Sequence, residues 1–188
     1  MNVYENCPRL ENDNFLIRRI EKSDRDDLLK VYSDEKAVPF FNGDNCHGDD
    51  FHYTTAERME EALKFWEQSY LGGWFVRFSI VDKSSGAAVG TIELFKRSSE
   101  DNFNGCGVLR LDLGSNYENE TVILSILSLM IPPAFEMFGC GSIITKGFPK
   151  ALDRIRALEK FGFVKSENKL VGEDGKEYSD YYSVQKSQ

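Results

Sequence analysis

The chain has 188 residues, 41% of them hydrophobic, and its 31 acidic against 23 basic side chains give a formal charge of −8. That length supports one domain whose core needs no disulfide or metal, and 14 Phe, 8 Tyr and 2 Trp argue against disorder. The acidic balance excludes a phosphate-backbone binder, which needs clustered cations, and favours cationic partners.

FLIRRI at residues 15–20 is a β-type run, and Ser23-Asp24-Arg25-Asp26 follows with an N-cap hydroxyl and an acidic residue at N3, predicting a helix through Leu28, Leu29 and Tyr32. Residues 38–53 are loop-like, with Gly43, Gly48 and several Asp and Asn. Thr54-Thr55-Ala56-Glu57 caps a second helix, whose Met59, Leu63, Trp66 and Tyr70 recur at steps of 4, 3 and 4 before Gly72-Gly73 closes it. Strand runs at 74–81 and 88–95 flank a turn at 82–86 and predict a hairpin; a third run follows at 108–113. The next helix runs from 120 to about 131, where Pro132-Pro133 remove two backbone donors and should kink or break it. The apolar stretch 122–138 contains those prolines and Glu136, so it falls short of a membrane span and reads as a core helix.

A strand at 142–145, a helix at about 152–161 stopped by Gly162, and strands at 163–169 and 177–184 around a turn at 172–175 complete the chain. The order β-α-α-β-β-β-α-β-α-β-β predicts an α/β (α+β) single domain over residues 1–188, with a mixed, mostly antiparallel sheet of about seven strands and helices on both faces. Such a sheet parts two strands somewhere, and ligands tend to bind there. Cys7, Cys46, Cys106 and Cys140 form no C-x-x-C pair and the N-terminal residues carry no secretory pattern, so a reduced cytoplasmic protein is expected. Cys46-His47 and His52 lack a fourth ligand and read as part of a polar loop, with no metal expected.

This order, with VGTIELF at 89–95, LRLDL at 109–113, IRALEKFGF at 155–163 and YSDYYSV at 178–184, resembles the GNAT superfamily of acyl-CoA-dependent N-acetyltransferases, and most closely its ribosomal-protein-type branch. The resemblance covers about residues 15–184. It implies that the strands at 108–113 and 142–145 splay apart and that acetyl-CoA, the co-substrate, lies in the gap. The backbone of Leu111 and Leu113 would hold the pantetheine arm. The pyrophosphate would sit on the next helix N-terminus, at Asn119, Glu120, Thr121 and Val122, where unpaired amides and the helix dipole favour anions. The implied chemistry is attack of a neutral primary amine on the thioester, which needs a base for the amine and an acid for the leaving thiolate.

The chain departs from the family where the phosphate loop usually reads Q/R-x-x-G-x-G/A: residues 115–120 are Ser-Asn-Tyr-Glu-Asn-Glu, with glutamates at both glycine positions. Two unit charges about 5 Å apart interact by roughly 3 kcal/mol at an effective permittivity of 20, so an inward carboxylate would weaken phosphate binding about a hundredfold. Either both side chains point to water, or Glu118 or Glu120 caps the helix itself in the phosphate's place. Ala151 and Arg154 stand where the family's last helix usually has Asn and Ser, and Leu158 where many members have a tyrosine acid. Arg154 and Lys150 either meet the cofactor phosphates or are plain surface cations.

Glu93 and Asp112 are the candidate bases toward an incoming ammonium, against a reading in which strand alternation puts them on a solvated face. Tyr181, with Tyr178 and Tyr182 near it, is the candidate acid, against packing at the core edge. Phe40, Phe41, Trp66 and Tyr70 are the candidate acceptor-pocket wall, although Trp66 and Tyr70 also fit a plain helical core. The expected function is acetyl transfer from acetyl-CoA to a primary amine of a protein N-terminus or a small, possibly cationic molecule. The alternative is a non-catalytic GNAT-fold binding or interaction protein that has lost acetyl-CoA binding. No nucleic acid or membrane partner is expected, and monomer and homodimer stay open.

Overall fold

The computed structural model describes residues 2–187. In chain order the elements are β1 (Leu10–Glu11), β2 (Phe15–Arg19), α1 (Arg25–Tyr32), α2 (Ala56–Leu71), β3 (Val76–Asp82), β4 (Ala88–Lys96), β5 (Gly107–Leu113), α3 (Glu120–Met137), β6 (Ser142–Lys146), α4 (Leu152–Phe161), β7 (Val164–Lys165), β8 (Leu170–Val171), β9 (Glu177–Tyr178) and β10 (Tyr181–Gln185). Eight strands form one sheet in the order β1-β2-β3-β4-β5-β6-β10-β7, and β8 pairs with β9 in a separate ribbon. The predicted strand at 177–184 is divided at Asp180, whose φ of 66° lies in the left-handed region and interrupts an extended run.

The middle of the sheet has two different faces. Phe78, Ile80, Ile92, Leu94, Leu109, Leu111 and Leu113 project into one apolar cluster with Ile123, Ile126, Leu127 and Met130 of α3. The alternate residues of the same strands are Arg77, Ser79, Thr91, Glu93, Arg110 and Asp112, and all are buried too. Period-2 alternation therefore sorts apolar from polar side chains, and α1 and α2 cover the polar face. The cap of α2 lies one residue past the box expected at Thr54-Thr55-Ala56-Glu57: the Thr55 hydroxyl accepts from the Arg58 amide at 3.2 Å. Ahead of α1 the cap is a reciprocal pair between Glu21 and Asp24, not Ser23.

The expected break at Pro132-Pro133 does not end α3, which continues to Met137. The prolines release the carbonyls of Ser128 and Leu129, and Ser128 and Pro132 lie on the exposed side of the helix, where water can take a released acceptor. The resulting 18-residue helix, with a mean hydropathy of 1.4, is long and apolar enough by length and composition to cross a membrane, contrary to expectation. In this fold it lies against the sheet, with Ile123, Ile126 and Met130 fully buried.

β5 and β6 are the parallel pair of the sheet, and their pairing runs through Gly107↔Ile143, Val108↔Ile144 and Leu109↔Thr145 and then stops. Beyond that point β5 stays paired with β4 on its other side as far as Leu113. β4 and β5 approach so closely at Gly90 that a Cβ there would lie 2.3 Å from the Asp112 carbonyl oxygen. Gly90→Ala is expected to lower stability by about 1–3 kcal/mol through overpacking, read as a lower urea-unfolding midpoint; an unchanged midpoint would show that the two strands can part there freely.

Candidate functional site

The polar face of β3, β4 and β5 carries a closed ionic network. Arg77 donates from Nη2 to Glu93 Oε2 at 2.5 Å and from Nη1 to Asp112 Oδ2 at 3.0 Å. Arg110 Nη1 reaches the other Glu93 oxygen at 2.5 Å. Tyr32, at the end of α1, donates to Asp112 Oδ2 at 2.8 Å and lies 2.7 Å from the Thr91 hydroxyl. The Arg77 guanidinium stacks on the Trp66 ring at 4.4 Å. Two cations thus face two anions in a set almost closed to water, with Arg77 1%, Asp112 2% and Glu93 3% exposed. Such a set is tolerable only while complete, because a lone buried charge has no compensation.

Burial pushes the Glu93 carboxyl up, but Arg77 and Arg110 more than offset it and hold it below the usual carboxylate range. Burial also pushes Asp112 up, and there Arg77 and the Tyr32 hydroxyl offset it only in part, so Asp112 stays above its ordinary value. The solvated-face reading fails for both residues. Each has carboxylate oxygen committed to arginine, and only Glu93 of the two lines the neighbouring cavity.

That cavity, of about 350 Å³, is walled by Phe51, Tyr53, Trp66 and Phe75 with Glu93 and Arg110 at its base. The segment predicted as a polar loop supplies one wall. Asn45, His47 and Phe51 adopt left-handed φ values of 56°, 54° and 56° there. The Asp49 carboxylate secures the segment by accepting from the Phe51 amide at 2.9 Å and the Tyr53 hydroxyl at 2.8 Å.

Of the four expected wall residues, only Trp66 lines this cavity. Tyr70 instead donates to the Val3 carbonyl at 3.0 Å and belongs to the apolar cluster of the opposite sheet face. Phe41 packs on the Tyr32 ring at 5.2 Å. Phe40 supplies its carbonyl to Arg154. Tyr181 is fully buried, donating to Asp44 Oδ2 at 3.0 Å. Lys146 holds the same oxygen at 2.5 Å. Burial, with the Asp44 charge, pushes the Tyr181 hydroxyl far above the usual tyrosine range, so it keeps its proton.

Where β5 and β6 part, Arg154 fills the gap. From α4 its Nη1 donates to the Leu111 carbonyl at 2.9 Å and the Phe40 carbonyl at 3.2 Å. Its Nε and Nη2 grip both oxygens of Glu118 at 2.7 Å. The pair is buried, its side chains 3% and 8% exposed. Arg154 is therefore not a surface cation, whereas Lys150 is exposed.

Neither glutamate caps α3. Asn119 does so, accepting from the Val122 amide at 3.1 Å, while Glu120 meets Arg156 and Lys160 on the outer side. The Ser115 amide is taken by Asp34 Oδ2 at 2.9 Å. The amides of Tyr117, Glu118 and Asn119 bond to carbonyls within the loop. Leu113 has its side chain in the apolar cluster, and Thr121 is exposed at the start of α3.

The backbone thus keeps an open strand edge followed by a helix N-terminus, and the side chain there whose chemistry suits a phosphate, Arg154, is held by Glu118. The Leu111 carbonyl is occupied, the loop amides are satisfied internally, and the Glu118 carboxylate stands where phosphate charge would come. Among the described residues no group of three or more His, Cys, Asp or Glu is arranged to hold a metal.

A model of the acetyltransferase (GNAT) domain matches residues 14–164. The chain belongs to the GNAT acetyltransferase family. No curated protein matches the sequence of this GNAT protein. Among solved structures, a GNAT-family acetyltransferase from Bacillus anthracis superposes with a TM-score of 0.68 at 16% identity, covering 95% of this chain and 98% of that one. The ribosomal-protein-S5-alanine acetyltransferase from Vibrio fischeri gives 0.65 at 17% identity, with 95% and 96% covered. A GCN5-related N-acetyltransferase from Brucella melitensis gives 0.68 at 18% identity, with 95% and 78% covered. At these identities the likeness speaks for fold.

Arg77→Met is expected to cost about 3–5 kcal/mol, because it leaves Asp112 buried without its cation and Glu93 with Arg110 alone; chemical denaturation reads it, and a cost under about 1 kcal/mol would show that Asp112 finds another partner. Acid should unfold this GNAT protein through the groups held below their ordinary values. Burial raises Asp24 and Asp34, but the Arg18 and Ser115 hydrogen bonds respectively outweigh it, and Glu93 behaves likewise. The stability these groups add is complete above the ordinary values of 3.8 and 4.5 and is lost as the pH falls through their lower folded values. Asp112, raised, works in the opposite sense. A melting temperature that does not fall between pH 6 and pH 2 would contradict this balance.

Proposed function

We propose that this GNAT protein transfers an acetyl group from acetyl-CoA to a primary amine, and that the arrangement described above is its closed form. The observation that carries this reading is the parting of β5 and β6 after Leu109 and Thr145, which leaves the β5 edge free of strand pairing beside the helix N-terminus. The acceptor would enter the cavity on the other side of β5, where Phe51, Tyr53, Trp66 and Phe75 suit an apolar body and Glu93, held by Arg77 and Arg110, lies at the base. Both a protein N-terminus and a small-molecule amine remain within this reading. The S5-alanine enzyme among the neighbours is named for a protein acceptor. A cytoplasmic setting accords with the four free cysteines.

A second reading, a non-catalytic binding protein that has lost acetyl-CoA binding, is favoured by the Arg154–Glu118 pair in the cleft and by the commitment of Glu93 and Asp112 to arginine. Incubation with millimolar acetyl-CoA and a panel of primary amines, with thiol release followed by a thiol reagent, separates the two. Amine-dependent release is expected. No release above the protein-free background with any amine would favour the binding reading.

A further inference from the structure

The geometry points to Arg154 as a cation with two alternative partners, the Glu118 carboxylate in the closed form and the cofactor pyrophosphate in the open one, so that Glu118 sets the affinity for acyl-CoA. This rests on the reading that acetyl-CoA is the donor.

Arg154 stands at the meeting point of the two backbone features such a ligand would use, bonded at once to Leu111 on the open edge of β5 and to the loop that starts α3. A guanidinium presents a planar fork that fits carboxylate and phosphate alike, so exchanging one for the other keeps the geometry of the bond. The other two Arg154 contacts, to the Leu111 and Phe40 carbonyls, come from a different nitrogen and leave the fork facing Glu118. Glu118 in turn has Arg154 as its ion partner, and its own amide makes only a long 3.3 Å bond to the Ser115 carbonyl. It lies between a one-turn helix at Ser115–Tyr117 and α3, outside any strand ladder, so it can swing to solvent without breaking sheet pairing. Glu120, the other glutamate of the loop, already faces outward onto Lys160 and Arg156 and does not compete.

Removing the charge while keeping the shape tests this. Acetyl-CoA and ADP are titrated by calorimetry into the wild type, Glu118→Gln and Arg154→Gln, with thermal unfolding to establish that each variant is folded. Glu118→Gly serves as a second loop variant should the glutamine protein fail to fold. The expected result is that loss of the Glu118 charge tightens both ligands by about a hundredfold, while Arg154→Gln binds no better than wild type. A tighter Arg154→Gln would overturn the inference, because Arg154 would then be an obstacle and not a phosphate partner. Equal micromolar binding by wild type and Glu118→Gln would also overturn it, leaving acetyl-CoA as donor intact. No binding at millimolar ligand by folded Glu118→Gln would remove the donor reading and this inference together.

Discussion

A buried backbone carbonyl has to be hydrogen-bonded, and where β5 and β6 part, Leu111 has no strand beside it on that side. In this protein α4 supplies the missing donor as an arginine. That choice has consequences. An arginine buried to this degree needs an anion, the anion comes from the loop ahead of α3, and that loop therefore holds a glutamate at a place where a phosphate cradle would hold glycine. The altered loop and the altered start of the last helix are one feature, two ends of a single ion pair.

The same logic shapes the other face of the sheet. Arg77, Glu93, Arg110 and Asp112 alternate with large apolar residues on three neighbouring strands, and α1 and α2 close over them. Their cost is reduced because each charge meets its opposite at hydrogen-bond distance and aromatic rings, Trp66 over Arg77 and Phe95 over Arg110, pack on the guanidinium groups, whose Nε atoms stay without an acceptor among the described residues. The result is a buried ionic layer beside the cavity, with the carboxylates oriented by arginines. A base drawn from this layer would first have to exchange an arginine for the incoming amine, which ties acceptor binding to the layer's rearrangement.

Much of the fold was legible because local signals agreed with the tertiary answer: the β3–β4 hairpin, the Gly162 stop and the apolar stripe of α3. The failures have physical reasons. Pro132 and Pro133 read as a break, but Ser128 and Pro132 lie on the exposed side of α3, and that depends on how the helix sits. Tyr70 continues the stripe of Trp66 by one turn, yet the last turn of α2 meets the N-terminal segment at Val3. Phe51 and Tyr53 hid in a segment whose Gly, Asp and Asn content signals loop; two aromatics one residue apart in such a loop were the available hint. Glu118 and Arg154 were each visible as departures from the family pattern, but their pairing across 36 residues is a tertiary fact.

Whether the filled cleft is a resting state or a permanent replacement comes down to where the Arg154 guanidinium goes when the ligand is present. A crystal structure of the wild-type protein grown with saturating acetyl-CoA answers this directly. The account predicts the cofactor between β5 and β6, with Arg154 on its pyrophosphate and Glu118 turned to solvent. Acetyl-CoA seated in the cleft with the Arg154–Glu118 pair intact would contradict it.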